Sequence, residues 1–281
     1  MFADLHLHTR FSDGTFTPEE VATLGHSHGL HTLALTDHDT VEGCPRMRAA
    51  CQALGLEFIA GTELTAELQG HEIHVLAYEI DLQDPHFLAA MARFQTVRQS
   101  RIHEMVARLN HAGIPLTAEA VLAIANCNSP GRPHVARALV EGRFCRSLEE
   151  AFERFLKQNR PAWVPKCKMS AGEALTLIHQ AGGVAVLAHP GLNRCDDFIP
   201  ELVAAGLDGI ECFHTRHSNT ASRHYLELAK AHGLLVTGGS DCHGMNKGKP
   251  LIGSLKLPYE YVRQLQARAA DRRRANLAIA I

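Results

Sequence analysis

Residues 3–15 read ADLHLHTRFSDGT and residues 35–40 read LTDHDT. The first stretch sets His6, His8 and Asp13 at the end of one apolar run, and the second sets Asp37, His38 and Asp39 at the end of the next. Both runs have the composition of a short β-strand closed by polar residues. Side chains at i and i+2 of a strand point to the same side, so His6 and His8 can enter one space together. For Asp37-His38-Asp39, alternation leaves open whether the histidine or the two aspartates point inward. A lone histidine on a strand is ordinarily a satisfied core residue; two such clusters, each closing a strand, indicate a metal site.

The same rhythm continues along the chain. FADLHLH, HTLALTD, EFIAGTEL and HEIHVLAYEI read as four strands, with PEEVATLGHSHG and CPRMRAACQALG as helices between the first three. Thr17 is the expected N-cap of the first helix, Pro18 stands in its first turn, and Gly29 closes it. From Pro85 to Pro165 the pattern is helical, broken at LNHAGIP, NCNSPGRPH and NRPAWVPK. Alternation then returns: VAVLAHPG, LDGIECFHT and LLVTGGSDCHG are strands separated by helical stretches, and YEYVRQLQARAADRRRANLA is a last helix with a solvated DRRR face. About seven strands alternating with helices predict a parallel sheet, and that number of units favours a barrel. The expected division is a barrel formed by residues 1–84 and 166–281, interrupted by a helical insertion at 85–165.

Polar residues concentrate at the strand ends. After the first two clusters come Glu63, His74, His189, Glu211 with His214, and Asp241 with His243. In a parallel α/β protein these ends share one face, where barrel active sites are built. Asp241 and His243 form a second i, i+2 pair, while Cys242 between them points away and reads as filler. Imidazole plus carboxylate without thiolate suits Zn, Mn or Fe rather than a cysteine-type structural zinc site. Such a set exceeds the needs of one tetrahedral ion, so two or three divalent ions with a bridging carboxylate are expected. Sites of this kind activate water and clamp phosphoryl oxygens.

Composition narrows the alternatives. Of the 281 residues 46% are hydrophobic and 21% charged, as in ordinary globular proteins. No apolar run approaches the roughly 18 residues of a membrane span, and no secretory leader is recognisable. A net charge of -2 argues against a broad basic face that holds long nucleic acid. The 8 cysteines include no C-x-x-C pair and read as reduced thiols of a cytoplasmic protein, mostly small apolar fillers. Histidine is the anomaly, at 19 residues against one Trp and four Tyr.

Taken together, DLHLHTRFSDG, LALTDHDT, IAGTELTA, EIHVLAY, VLAHPG, GIECFH and GGSDCHG resemble, in order and spacing, the PHP (polymerase and histidinol phosphatase) family. SPGRPHVARAL and RPAWVPK resemble its bacterial subgroup of 3',5'-nucleoside bisphosphate phosphatases and a 5'-to-3' exoribonuclease of short RNA. The resemblance implies a distorted (β/α)7 barrel. It implies that His6, His8, Glu63 and Asp241 hold one metal, that Asp13, His38 and His243 hold a second, and that Glu63, His74 and His189 hold a third, with Glu63 as the bridge. Some members carry histidine where this chain has Asp13; the harder carboxylate shifts the expected preference to Mn2+, with Zn2+ or Fe2+ as alternatives. It also makes His38 the ligand of TDHDT, with Asp37 and Asp39 in support.

Within the helical stretch, Gly131-Arg132-Pro133-His134 reads equally well as a plain helix start and as a phosphate grip. In the second reading Arg132 holds a phosphate bidentately and His134 donates to it or to the leaving oxygen. Arg160 and Lys166 are candidates for a second phosphate, and His214 and His217 for facing substrate; each has an ordinary surface-loop reading beside it. The activity so implied is removal of the 3'-phosphate from a nucleoside 3',5'-bisphosphate such as pAp by a metal-bridging hydroxide, releasing a 5'-mononucleotide. The alternatives are 5'-3' cleavage of short 5'-phosphorylated RNA, a histidinol-phosphatase-like monoesterase, and a non-catalytic interaction module. Small nucleotides or short RNA are the expected partners, without long duplex or membrane.

Overall fold

A computed structural model describes residues 1–166 and 169–279 of the chain, with the side chains of Lys247 and Ile279 left aside. The seven expected strands are present: β1 (Phe2–Asp4), β2 (Thr32–Leu35), β3 (Glu57–Leu68), β4 (His71–Tyr78), then, after a two-residue β5 (Met169–Ser170), β6 (Val184–Leu187), β7 (Gly209–His214) and β8 (Leu235–Gly239). A second two-residue strand, β9 (Leu257–Pro258), pairs antiparallel with β1. The sheet runs β8-β7-β6-β4-β3-β2-β1-β9, with β5 on β3. Past its regular part, β1 meets the end of β8 through a parallel bridge between Leu7 and Cys242 and bonds from Leu5 N to Gly238 O and from His8 N to Cys242 O. The sheet is thereby a nearly closed, distorted barrel. Gly239 permits this closure, since a Cβ there would lie 2.3 Å from the Cβ of His6.

One strand departs from the parallel arrangement. No helix separates β3 from β4; they are joined by Gln69 and Gly70, both at positive φ, the geometry of a two-residue type I′ hairpin. So β4 pairs antiparallel with both β3 and β6. The reversal brings its N-terminal half to the mouth, where His74 stands opposite Thr65 and close to Glu63.

Alternation along the strands sorts the core. Leu33, Leu35, Val75, Ala77, Ala185 and Leu187 pack in one cluster with the surrounding helices. The intervening Ala34, Leu76 and Val186 belong to another, with Ile59 and with Val262, Leu265 and Ala269 of the last helix. Leu76 and Ile59 are fully buried, each worth roughly 1.5–3 kcal/mol relative to an exposed side chain. The surrounding helices are α1 (Pro18–Ser27) and α2 (Cys44–Ala53) early in the chain. Thr17 caps α1 in a reciprocal box with Glu20.

Four helices come between β4 and β5: α3 (Pro85–His111), α4 (Ala118–Ala125), α5 (Arg132–Glu141) and the short α6 (Leu148–Ala151), which runs into a π-helical turn at Phe152–Leu156. Ile102, Met105 and Leu109 of α3 pack with Val121, Val135, Leu139 and Phe155 in a cluster separate from the barrel's. The first half of α3 instead sends Phe87, Met91 and Phe94 into the barrel core, so one helix joins the two. The later helices are α7 (Ala171–Gln180), α8 (Pro190–Asn193), α9 (Ile199–Ala204), α10 (Asn219–His232) and α11 (Tyr259–Ile279). Among the described residues no helix is long and apolar enough to cross a membrane. The described cysteines are free thiols, mostly buried; Cys167 lies outside the described residues.

Candidate metal centre

The nine strand-end residues converge on one site. Glu63, 1% exposed, is its centre. Its Oε2 lies 3.1 Å from His38 Nδ1, 3.2 Å from His6 Nε2 and 3.3 Å from His8 Nε2; its Oε1 lies 2.7 Å from His74 Nδ1 and 2.9 Å from His189 Nε2. Asp241 Oδ1 adds contacts of 3.3 Å to both His8 Nε2 and His243 Nδ1, and Asp13 Oδ1 lies 3.2 Å from His243 Nε2. Four sets have ligand atoms within 4.8 Å of one another: His8, Asp13, His38 and His243; His6, His8 and Asp241; His6, Glu63 and His189; His38, Glu63 and His74. His8 thus belongs both with His6 and with the Asp13 group. His189 and Asp241 hold left-handed backbone, φ +30 and +54, a conformation that costs about 1–3 kcal/mol and persists only where the surroundings impose it.

These residues fit divalent cations. Both ring nitrogens of His8, Nδ1 of His38 and of His189, and Oδ1 of Asp13 are buried without a hydrogen bond. Several lie 3.1–3.3 Å from a carboxylate oxygen yet off the line a hydrogen bond needs. Such atoms cost about 1–3 kcal/mol each when left unsatisfied, and a cation shared between them removes that cost. The titration of the groups carries the same signature. Burial would raise Glu63, but His38, His74 and His6 hold it well below the ordinary carboxylate range. Burial would lower His243, but Asp13 and Asp241 bring it up to about 9. Burial likewise opposes, and Glu211 and Glu63 outweigh it, in raising His6.

Outer partners aim the imidazoles. His6 Nδ1 bonds Glu211 Oε1 at 2.9 Å, and the other oxygen of Glu211 accepts from the backbone N–H of His189 at 2.8 Å. His243 Nδ1 lies 3.0 Å from the carbonyl of Asp241. His74 Nε2 faces Glu72 at 3.4 Å. A carboxylate or carbonyl behind a ligating imidazole fixes its tautomer and orientation. The flanks of TDHDT are engaged elsewhere: Asp37 accepts from Thr9 N, Thr9 Oγ1 and Ser12 Oγ, and Asp39 pairs with Arg98.

The helical layer brings cations to the rim. Lys166 Nζ donates to Glu72 Oε1 at 2.8 Å and stands 3.4 Å from His74 Nε2. Arg101 gives both Nε and Nη2 to the carbonyl of Val164, and burial, with Arg132 and Arg98 nearby, brings it down to about 10. Arg132 reaches the carbonyl of Leu156 at 3.4 Å and lies over the Phe152 ring. Burial lowers Lys166, with Glu72 opposing and Arg98 and Arg132 adding to the fall. Four cations are gathered here against two carboxylates, Asp39 and Glu72.

PGRPH is a helix start, with Gly131 as the N-cap of α5 and Pro133 in its first turn. His134 is buried; its Nδ1 accepts from Gly131 N at 3.0 Å, which leaves the ring proton on Nε2. Burial, opposed by Asp13, brings His134 down to about 4. His214 is buried with Nε2 3.5 Å from Asp241 Oδ2. His217 sits behind it, its Nδ1 at 3.1 Å from Cys212 O and its ring against Tyr225. Arg160 is exposed, and its charge acts on exposed Glu153. Sequence reasoning assigned no role to Glu72, Arg98, Arg101 or Arg137. Glu72 carried a signal, two residues before His74 on one strand face; the arginines carried none.

Residues 4–161 match the PHP domain model. The chain is 33% identical over 258 residues to a 3',5'-nucleoside bisphosphate phosphatase of Chromobacterium violaceum, spanning 89% of this chain and 90% of that protein. It is 34% identical over 247 residues to the 5'-3' exoribonuclease Rnm of Salmonella typhimurium, spanning 85% and 84%. A solved structure from Bifidobacterium adolescentis, provisionally described as a metal-dependent phosphoesterase, superposes with TM-score 0.88 at 34% identity over 95% of this chain and 96% of that one. With the family model covering more than half its length and relatives of this similarity across most of it, this chain belongs to the PHP domain family.

Proposed function

We propose that this metal-dependent phosphoester hydrolase removes the 3'-phosphate from nucleoside 3',5'-bisphosphates such as pAp, leaving a 5'-mononucleotide. The observation that carries the reading is the gathering of Arg98, Arg101, Arg132 and Lys166 at the rim, with Lys166 touching Glu72 and His74 directly beside the carboxylate and imidazole cluster. A substrate with two phosphates has a place for each. One meets the ions; the other meets Arg132 and Lys166, whose own charges burial disfavours and an anion would stabilise.

His6, His8, Glu63 and Asp241, then Asp13, His38 and His243, then His74 and His189 with the shared Glu63, are the residues that would hold divalent metals, Mn2+ first among them. Such ions supply Lewis acidity toward the phosphoryl oxygens and lower the pKa of water. The chain's own groups do the rest. Glu211 and Glu72 hold imidazoles in one orientation. His134, neutral at physiological pH, can donate an Nε2–H hydrogen bond to a phosphoryl or leaving oxygen without giving up the proton. Arg132 and Lys166 bind the remote 5'-phosphate, whose binding energy positions the reacting one. His214, against Asp241, is the nearer candidate for facing substrate, with His217 behind it. Residues 85–165 form the part that recognises substrate and excludes water.

The relative that degrades RNA from its 5' end supports a second reading, cleavage of short 5'-phosphorylated RNA, which needs the same ions and the same 5'-phosphate pocket. Comparing kcat/KM for pAp, 3'-AMP, 5'-AMP and a 5'-phosphorylated RNA oligomer with the Mn2+-loaded protein separates the two. The proposal expects pAp to lead and both monophosphates to be much poorer. Equal rates on pAp and the monophosphates mean a general phosphatase, and a dominant RNA rate means the exonuclease.

A further inference from the structure

Every residue of the nine-member cluster lies outside the helical layer, so the barrel should be able to assemble the site alone. The hydrogen bonds say otherwise. From α3, Arg98 gives Nε and Nη2 to Asp39 Oδ2 at 2.8 and 2.5 Å, while its Nη1 reaches the carbonyl of Pro130 at 3.3 Å. Asp39 directly follows His38, holds left-handed backbone at φ +49, and accepts from Thr65 N, two residues past Glu63. Ser129, in the loop before α5, donates its hydroxyl to the carbonyl of His38 at 2.5 Å. From α5, Arg137 Nη2 donates to the carbonyl of Asp13 at 2.8 Å and to Asn246 Oδ1 at 3.0 Å, and Asn246 Nδ2 donates to the same Asp13 carbonyl. Asn246 lies three residues after His243. Apart from the Pro130 contact, these bonds end on the segments that carry Asp13, His38 and His243, members of one ligand set together with His8; His38 also belongs to the set with Glu63 and His74.

We infer that Arg98 and Arg137 are positioning residues that set the Asp13, His38 and His243 ligand group, so that the helical layer determines the affinity of one particular ion. The inference rests on the metal-ligand reading above. Arg98 acts through Asp39, whose left-handed backbone directly follows His38. The Arg98–Asp39 pair is nearly buried, with side chains 11% and 2% exposed, so removing the guanidinium leaves an uncompensated carboxylate next to His38. Arg137 acts on a backbone carbonyl and thereby fixes where the Asp13 carboxylate starts. Its three-way contact with Asn246 ties the Asp13 loop to the segment after His243. Neither guanidinium meets His6, His74 or His189 in the described hydrogen bonds, and the link to their sets runs through His38 and through Asp39 N on the Glu63 carbonyl, so the ions they hold should respond least.

The test is stepwise removal of Zn2+ from the full-length chain by a competing chelator, read as the affinity of each equivalent. Wild type is compared with Arg98→Met, Arg98→Lys, Arg137→Gln, Asp13→Ala and, as a control on the same layer, Arg154→Gln. Circular dichroism and thermal melting of each metal-free protein report folding. Arg98→Met and Arg137→Gln should each weaken one equivalent by roughly 10- to 100-fold, the usual effect of losing an outer partner of a ligand, and change the others far less. Arg98→Lys should recover part of the loss, and Arg154→Gln should match wild type. Wild-type affinities in both arginine variants, with one equivalent lost in Asp13→Ala, overturn the inference. So does an equal weakening of every equivalent, which signals general loosening. Full retention in Asp13→Ala overturns instead the ligand assignment beneath it. Should Arg98→Met not fold, Arg137→Gln, half-buried and still polar, decides the matter.

Discussion

The mouth of the barrel and the helical layer beside it are electrostatic opposites. At the mouth, one buried carboxylate stands among five imidazoles, and unsatisfied nitrogens and oxygens converge on shared space. Along the layer, Arg98, Arg101, Arg132 and Lys166 crowd one another, and burial with mutual repulsion lowers Arg101 and Lys166. On the function proposed above, the mouth takes cations and the layer an anion. Each region carries a charge that its own residues do not neutralise, and a phosphate bridging bound ions to the arginines satisfies both at once. Preorganised charge of this kind contributes most where water is excluded.

The sharpest break in that comparison is Glu63→Ala. It removes the group that touches His6, His8, His38, His74 and His189, so more than one ion equivalent should be lost, with kcat/KM on pAp falling by at least about 10³-fold. Metal analysis after purification without chelator checks the first, steady-state kinetics the second. Loss of a single equivalent would mean that Glu63 serves one ion and bridges none.

Arg132→Ala should come next. Metal content and melting temperature should hold, while kcat/KM on pAp drops by roughly 10²-fold, about 3 kcal/mol of transition-state stabilisation. Arg132→Lys should recover only part, because an ammonium lacks the planar fork. Wild-type kinetics from Arg132→Ala would leave PGRPH as a helix start alone.

A pH experiment separates the regions without mutation. His243, brought up to about 9 from an ordinary 6.5, carries its proton at neutral pH in the metal-free protein, and Glu211 and Glu63 shift His6 in the same direction. Ions must displace those protons, so affinity should fall as pH is lowered from about 9 to 7, by up to about tenfold per pH unit for each proton released. Calorimetry in buffers of different ionisation enthalpy counts them. The sign for stability is the reverse. A histidine with a raised folded pKa stabilises fully below about 6.5 and loses that contribution as pH climbs through about 9. The metal-free protein should therefore melt progressively lower across that window, whereas the loaded protein should not. An uptake of Zn2+ that releases no protons at pH 7 would show that the mouth is not charged as described.

The smallest effect is expected at Arg160. It is exposed beside Glu153 rather than among the buried cations, so Arg160→Ala should change unfolding stability by no more than about 0.5 kcal/mol and leave kcat/KM on pAp close to wild type. A large loss of activity would extend the anion site beyond the four cations at the rim.

What could be read from the chain alone was whatever repeats over short distance. Alternation at period two located the seven strands, paired His6 with His8 and Asp241 with His243, and put nine candidate ligands at strand ends, because strand geometry links each residue to its neighbour two along. Thr17, Pro18 and Gly29 marked the bounds of the first helix by local capping chemistry. The tertiary structure decided the rest. It reversed β4 through a two-residue hairpin and so delivered His74 to the mouth; a helix-rich rhythm on either side had pointed to parallel strands throughout. It set Lys166 against Glu72 and His74 and left Arg160 outside, although both follow prolines or precede them in the same RPAWVPK stretch. It joined Arg98 to Asp39 across 59 positions and Arg137 to Asp13 across 124. No periodicity spans such separations. Contacts of that kind exist only once two packed layers have fixed where each side chain ends, and here they set Arg98 and Arg137 against the segments that carry His38 and Asp13.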